Sequence, residues 1–278
     1  MSILLIIVIL GIVEGLTEFL PISSTGHMIV VGDWLHKFAN AGGLSFLDGT
    51  ESKIFEVVIQ SGAILALVVV YFRQFFELVS VPASGSFYSR RGFWMLMLTT
   101  LPALAAGALF HKRIEAHMMT SMIVAAGLSI GGLWILCVEH LLPISENKTM
   151  DDVDWKMALA LGCFQCLALW PGMSRSASMI MGALLLGFRR KTAVEYSFFA
   201  AVPVMVAASA YDILKHIHDL NGHAIGHIAI GFVIAFFSAL LAIKFFLRYV
   251  QRHSLAAFGW YRLGLAAVVL IALRHHGA

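Results

Sequence analysis

The sequence predicts an all-α, polytopic integral membrane protein, with six transmembrane helices and two re-entrant helical hairpins arranged as an inverted-topology repeat. Three observations carry that prediction. Of the 278 residues, 60% are apolar and only 13% are Asp, Glu, Lys or Arg, roughly half the charged fraction of a soluble globular chain, and the mean hydropathy is +0.87. Six apolar segments approach the ~20 residues that a helix needs to cross the hydrocarbon core. Two further apolar segments are interrupted in the same way. The apolar excess must face lipid, because a sphere of this mass would need far more polar surface than the chain supplies. The net charge is only +3 and the basic residues sit in short clusters between apolar runs, so no nucleic-acid footprint is present.

The elements follow in order. From Ile3 a clean apolar run lasts to Val13; Glu14 and Glu18 follow, and Pro21-Ile22-Ser23-Ser24-Thr25-Gly26-His27 breaks the pattern before a short apolar stretch to Leu35. Such a segment reads as two half-helices meeting at a polar turn. Spans are expected over Ile54 to Phe72, Phe93 to Phe110 and Met119 to Leu142, punctuated by Arg90-Arg91 and His111-Lys112-Arg113. After the polar stretch from Ser145 to Asp154, an apolar run from Trp155 to Trp170 is broken by Pro171-Gly172-Met173-Ser174-Arg175-Ser176 and resumes over Ala177 to Phe188. Spans over Thr192 to Leu214, His227 to Leu247 and Ala256 to Leu273 complete the chain. Irregular backbone at membrane depth survives only where protein or a water-filled cavity satisfies its polar groups, so both turns must be enclosed.

The broken segments match each other. Gly11-x-x-Glu14 is followed nine residues later by Ser23, and Gly162-x-x-Gln165 nine residues later by Ser174. The chain therefore reads as a single membrane domain, 1–278, of two halves, 1–142 and 143–278, each a hairpin plus three spans. An odd number of spans turns the second copy upside down, and the two hairpins then meet near the midplane. With both termini on one face, that face carries Lys37, Lys53, Lys112, Arg113, Lys215 and Arg274. The opposite face carries Arg73, Arg90, Arg91, Lys148, Lys156, Arg189, Arg190, Lys191, Arg248 and Arg252. The excess on the second face makes it cytoplasmic and turns the first hairpin's mouth outward.

Charge at membrane depth is expensive and marks function. Glu14 and Glu18 lie four apart, on one helix face, and suit a hard divalent cation, Mg²⁺ or Ca²⁺, that shares its shell with phosphate oxygens. Ser23, Ser24, Thr25 and Gly26 offer hydroxyls and amides at a helix start, a setting for an anion, and His27 can move a proton near neutral pH. Arg175, between Ser174 and Ser176, needs an anionic partner: either a phosphate, which its planar fork fits, or one of the two glutamates. Together these groups suit phosphoryl transfer from an amphiphile whose tail stays in lipid.

The strings from Glu14 to His27 and from Pro171 to Ser176 resemble the two signature motifs of the undecaprenyl-diphosphate phosphatase family, the bacitracin-resistance proteins. The resemblance extends through Phe55 to Gln60 and Gly162 to Trp170 and covers nearly the whole chain. It implies an integral bacterial inner-membrane enzyme that removes one phosphate from undecaprenyl diphosphate and so recycles the lipid carrier for peptidoglycan; with the orientation set by the basic residues, its active site is expected to face the periplasm. It also implies roles for individual residues. Glu14 and Glu18 correspond to the family's essential acidic pair, Ser24 and His27 to its proposed nucleophile and proton-transfer positions, and Arg175 to its phosphate-binding arginine. One position departs: Met179 stands where the family usually has threonine, with Ser178 beside it. Whether Ser24, His27 or water attacks phosphorus stays open. So does pairing with a second copy as a homodimer, since lipid-facing and dimer surfaces share a composition. An alternative reading is a flippase or transporter of a polyprenyl phosphate lipid, because broken helices in inverted repeats are also transporter architecture.

Overall fold

A computed structural model of the chain describes residues 1–39, 43, 46–47, 50–118, 120–141, 147–216 and 222–276. Among these every regular element is helical apart from one isolated bridge, Lys148 to Phe188. The first broken segment is α1 (Ile3–Thr17) and α2 (Ser24–Phe38). It is followed by α3 (Thr50–Val70), α4 (Phe72–Ser80), α5 (Arg90–His117) and α6 (Ser121–Leu141). The second broken segment is α7 (Trp155–Cys166) and α8 (Arg175–Leu185), followed by α9 (Arg190–His216), α10 (Gly222–Val250) and α11 (Ala256–His276).

Among the described residues, five helices are long and apolar enough to cross a membrane: α5, α6, α9, α10 and α11. The sixth expected span, Ile54 to Phe72, runs as α3 to Val70 and then bends by 78° into α4. Phe72, Phe76 and Val79 of α4 are exposed, at spacings that put them on one helical face, while Arg73 and Glu77 pair four residues apart. An apolar face beside an ion pair suits a helix lying in the membrane interface, so the apolar run from Ile54 ends by turning rather than by leaving the bilayer.

The two turns share a backbone device. Ser23 has φ 71° and Ser174 φ 72°, both in the region that favours glycine. Each caps the half-helix that follows it: the Ser23 hydroxyl accepts from the Gly26 amide and the Ser174 hydroxyl from the Ala177 amide, both at 3.3 Å. Holding a non-glycine residue there costs about 1–3 kcal/mol, which persists only where the surroundings over-determine it. Gly172, at φ +92°, is required by space as well, because a Cβ would lie 2.3 Å from the Val124 carbonyl of α6.

Packing pairs the halves crosswise. α10 lies against α1 and α3, α11 against α6, α5 against α7, and α9 against both α3 and α8. Where α1 crosses α10, Gly15 lets the backbones approach, a Cβ being 2.4 Å from the Ala235 carbonyl; small residues at such crossings are how helices associate without a hydrophobic drive. The core around the turns is aromatic, with Phe19, Phe198, Phe199, Tyr196 and Phe246 fully buried. At one end of the molecule Arg190 forks onto Glu139 at 3.0 and 3.3 Å, and the same carboxylate accepts the Leu255 amide. Arg91 reaches the carbonyls of Gly85, Asp151 and Val153.

Candidate active site

The site assembles where the two turns meet. Ser176, at the start of α8, donates to the Leu20 carbonyl of the first turn at 2.7 Å, and its hydroxyl lies 3.0 Å from that of Ser174. Arg175 crosses the same seam: Nη2 lies 3.3 Å from Glu18 Oε1, and Nη1 donates to the Ser197 carbonyl of α9 at 3.1 Å. Of the two sequence readings for Arg175, an ion pair with a glutamate is present, and the glutamate is Glu18. The pair is nearly sealed, with 12% of the Arg175 side chain and 6% of the Glu18 side chain exposed. Arg175 Nε, the Ser178 hydroxyl and the Ser197 hydroxyl are buried with no hydrogen-bond partner among the described residues, so donor capacity is left beside the fork.

Glu18 has a second partner. Ser24 Oγ donates to its Oε2 at 2.6 Å, a length typical of a strong O–H···O⁻ bond. Both Glu18 oxygens are thereby engaged. Glu14, one turn earlier, is 5% exposed and lines a cavity of about 670 Å³ together with Ser24, Thr25, Glu56 and Gln60. The two carboxylates expected to share a cation thus have different surroundings: one is tied to a serine and an arginine, the other faces a polar cavity. The cavity continues past Asp33, His36 and Ser121, at the ends of α2 and α6.

His27 is not joined to Ser24. Its Nδ1 lies 2.7 Å from the Ser23 carbonyl and its Nε2 2.6 Å from the hydroxyl of Tyr261. Facing a carbonyl, Nδ1 carries the hydrogen, so Nε2 of the neutral ring accepts from Tyr261. The two rings are stacked at 5.5 Å. His27 and Tyr261 line a second cavity of about 590 Å³, walled by Leu16, Leu20, Leu241, Phe245 and Phe258. A polar cavity therefore meets Ser24 on one side, and an apolar one meets His27 on the other. Gly26 is buried at the start of α2, where its amide donates to the Ser23 hydroxyl.

Met179 is fully buried in the apolar core. The position where the resemblance implies a threonine hydroxyl is therefore filled by packing, and the neighbouring Ser178 hydroxyl, although buried, has no hydrogen-bond partner among the described residues.

Two residues that sequence reasoning passed over complete the site. Arg262, fully buried on α11, donates to the carbonyls of Pro21 (3.3 Å) and Gly172 (2.7 Å), one in each turn, and to Gly127 and Leu128 of α6. Gly131 makes room for it, since a Cβ there would sit 2.1 Å from Arg262 Nη2. Tyr261, its neighbour, anchors His27. A lone arginine inside the apolar run from Ala256 to Leu273 was the available signal.

A family model described as "Bacitracin resistance protein BacA" matches residues 7–268 of the chain. A protein of Solidesulfovibrio magneticus is 48% identical over 262 residues, covering 94% of this chain and 95% of the relative. One of Nitrosomonas europaea is 45% identical over 97% of this chain and 94% of its own length, and one of Lawsonia intracellularis 42% identical over 99% and 100%. Each of the three is named undecaprenyl-diphosphatase.

Proposed function

Because the chain belongs to the bacitracin resistance protein BacA family, we propose that it is an undecaprenyl-diphosphatase, which hydrolyses undecaprenyl diphosphate to undecaprenyl phosphate and inorganic phosphate. The observation that carries this reading is the 2.6 Å bond from Ser24 to Glu18, set against Arg175 at the junction of a polar and an apolar cavity. A transporter needs a phosphate-binding arginine and hydroxyls; a serine held on a carboxylate is what a phosphoryl-transfer enzyme needs in addition.

The diphosphate enters the polar cavity, and the apolar cavity beside His27 and Tyr261 accepts the first isoprene units. Ser24 Oγ attacks the terminal phosphorus as Glu18 takes its proton. The bond from that phosphorus to the bridging oxygen breaks, and undecaprenyl phosphate leaves with the proton. Water then attacks the phosphoserine and gives up a proton, which Glu18 passes to Ser24 Oγ as the Oγ to phosphorus bond breaks, and phosphate departs. Arg175 offers Nε and its fork to the equatorial oxygens, with Ser174 and Ser176 alongside and the Thr25 and Gly26 region at the start of α2 cradling the anion. His27, its tautomer fixed by the Ser23 carbonyl, relays protons through Tyr261.

A divalent cation, Mg²⁺ or Ca²⁺, fits the donor set, since carboxylate and amide oxygens are hard ligands, and Glu14 is the carboxylate available to hold it. When bound it supplies positive charge to the diphosphate. We place the protein in the bacterial inner membrane with the cavity open to the periplasm. The basic excess at the opposite loop ends supports that orientation, because the cavity's Asp33, His36 and Ser121 lie at the less basic face.

The test is phosphate release from undecaprenyl diphosphate by the purified protein in detergent with Mg²⁺ or Ca²⁺, before and after chelation. Release that is lost in Glu18→Ala, His27→Ala and Arg175→Ala supports the reading. Undiminished release in all three removes the site, and none from the wild type removes the activity.

A further inference from the structure

Arg262 belongs to the second half of the chain alone, yet it serves both turns at the same place. Its Nη1 donates to the Pro21 carbonyl at 3.3 Å and its Nη2 to the Gly172 carbonyl at 2.7 Å. Pro21 stands two residues before Ser23 and Gly172 two residues before Ser174, the two serines with positive φ. Nε and a second bond from Nη2 go to Leu128 and Gly127 of α6, which fixes the plane of the fork. The side chain is fully buried, and among the described residues no carboxylate pairs with it. A buried cation without a counter-ion is costly. What it supplies in return is one rigid group whose donors point in set directions, so that the carbonyl of one turn is placed relative to that of the other.

Two other contacts cross the seam between the turns, Arg175 to Glu18 at 3.3 Å and Ser176 to the Leu20 carbonyl at 2.7 Å. Both involve groups that the hydrolysis uses. In the diphosphatase reading, on which this inference rests, Glu18 becomes neutral as it takes the Ser24 proton, and its hold on Arg175 weakens. Arg175 and Ser176 meanwhile turn donors toward phosphate. The carbonyls held by Arg262 carry no proton and take no part in the chemistry, so that bridge persists. It also stands at the right places: Pro21 lies midway between Glu18 and Ser24, and Gly172 three residues before Arg175.

We infer that Arg262 is a positioning residue for the hydrolysis, keeping the Glu18 and Ser24 pair in register with Arg175 while the other contacts across the seam are drawn into the reaction. It touches no reacting atom and acts through the backbone of the two turns. Its effect falls on kcat rather than on KM, because before chemistry begins the register is also kept by Arg175 and Ser176, and an interaction needed only in the transition state leaves substrate binding nearly unchanged.

The test joins kinetics to hydrogen exchange on the full-length protein in detergent. Arg262→Lys keeps the charge, but an ammonium is a point donor that cannot fork onto two turns. Its kcat for phosphate release from undecaprenyl diphosphate should fall by about 100-fold, the cost of a misplacement of ~1 Å, with KM nearly unchanged. Gly131→Ala leaves every site side chain in place but sets a Cβ 2.1 Å from Arg262 Nη2, so it should lower kcat in the same way. Gly264→Ala on α11, with open space around the added Cβ, is the control and should alter neither constant. Amide exchange, followed by mass spectrometry without substrate, should quicken in both turns together in Arg262→Lys and Gly131→Ala. Thermal unfolding reports whether each variant is folded, and Gly131→Ala decides alone if Arg262→Lys is not. Wild-type kcat in the folded variants, a loss carried by KM, or faster exchange in one turn only would each overturn the assignment. Failure of the diphosphatase reading shows separately, as a wild type that releases no phosphate while exchange in the two turns still responds together.

Discussion

Ser24 and Glu18 lie on opposite sides of the first turn, and the 2.6 Å bond between them sets the serine hydroxyl on a carboxylate that Arg175 also holds, from the second half of the chain. The first prediction concerns this bond. Ser24→Ala and Glu18→Gln should each lower kcat by about 10²–10⁴, the range for losing a positioned proton acceptor, with KM changing much less. Rapid-quench experiments with substrate labelled in the terminal phosphate should trap label on wild-type protein and none on Ser24→Ala; equal label on both would exclude serine attack.

Arg175 and Glu18 form a nearly sealed ion pair, and removing one member of such a pair strands the other. Arg175→Ala should therefore destabilise the protein by about 3–5 kcal/mol as well as raising KM. Arg175→Lys keeps the charge but not the planar fork, so it should recover much of the thermal stability and little of the turnover. Paired unfolding and kinetic measurements on the two variants check the separation.

Tyr261 holds His27 through one hydroxyl, while the ring stack at 5.5 Å survives its removal in Tyr261→Phe. That variant should lose about 1 kcal/mol of folding stability, the net worth of an ordinary hydrogen bond, while kcat falls only a few-fold because His27 keeps its bond to the Ser23 carbonyl. His27→Ala should cost far more. A Tyr261→Phe enzyme as impaired as His27→Ala would mean that the hydroxyl acts on substrate directly.

Gly172 has no room for a side chain. Gly172→Ala should destabilise the fold by several kcal/mol, about 1–2 from its positive φ and more from the collision with the Val124 carbonyl, seen as a lowered unfolding temperature in detergent. Gly32→Ala, where nothing lies within 4 Å of the added Cβ, is the control and should not destabilise, gaining up to about 1 kcal/mol from the better helix former inside α2.

Much of this was legible in the chain because lipid enforces it. Apolar runs of span length and the interruptions at Pro21 and at Pro171-Gly172 leave few alternatives once backbone groups must be satisfied internally. The bend at Tyr71 was not visible, since Phe72 continues the apolar run and only its neighbours Arg73 and Glu77 suggest an interface. The candidate residues were also legible as types, but not their pairings. Glu18 and Arg175 are 157 residues apart, and nothing local says that Arg175 selects Glu18 over Glu14. Nor does the spacing of Ser24 and His27, one turn apart, reveal that they face different cavities. Arg262 stands out as a lone arginine in an apolar run, but the backbone carbonyls it satisfies have no signature in sequence.

Arg262 also sets a clock. It follows Gly172 by 90 residues, so a ribosome adding about 5–20 residues per second leaves both turns without their shared donor for roughly 5–18 s after the second is made. Throughout that interval the nascent chain carries Ser24, Glu14, Glu18 and Arg175, yet lacks the group that bridges the two turns. The two turns therefore gain their shared donor only once α11 is in place.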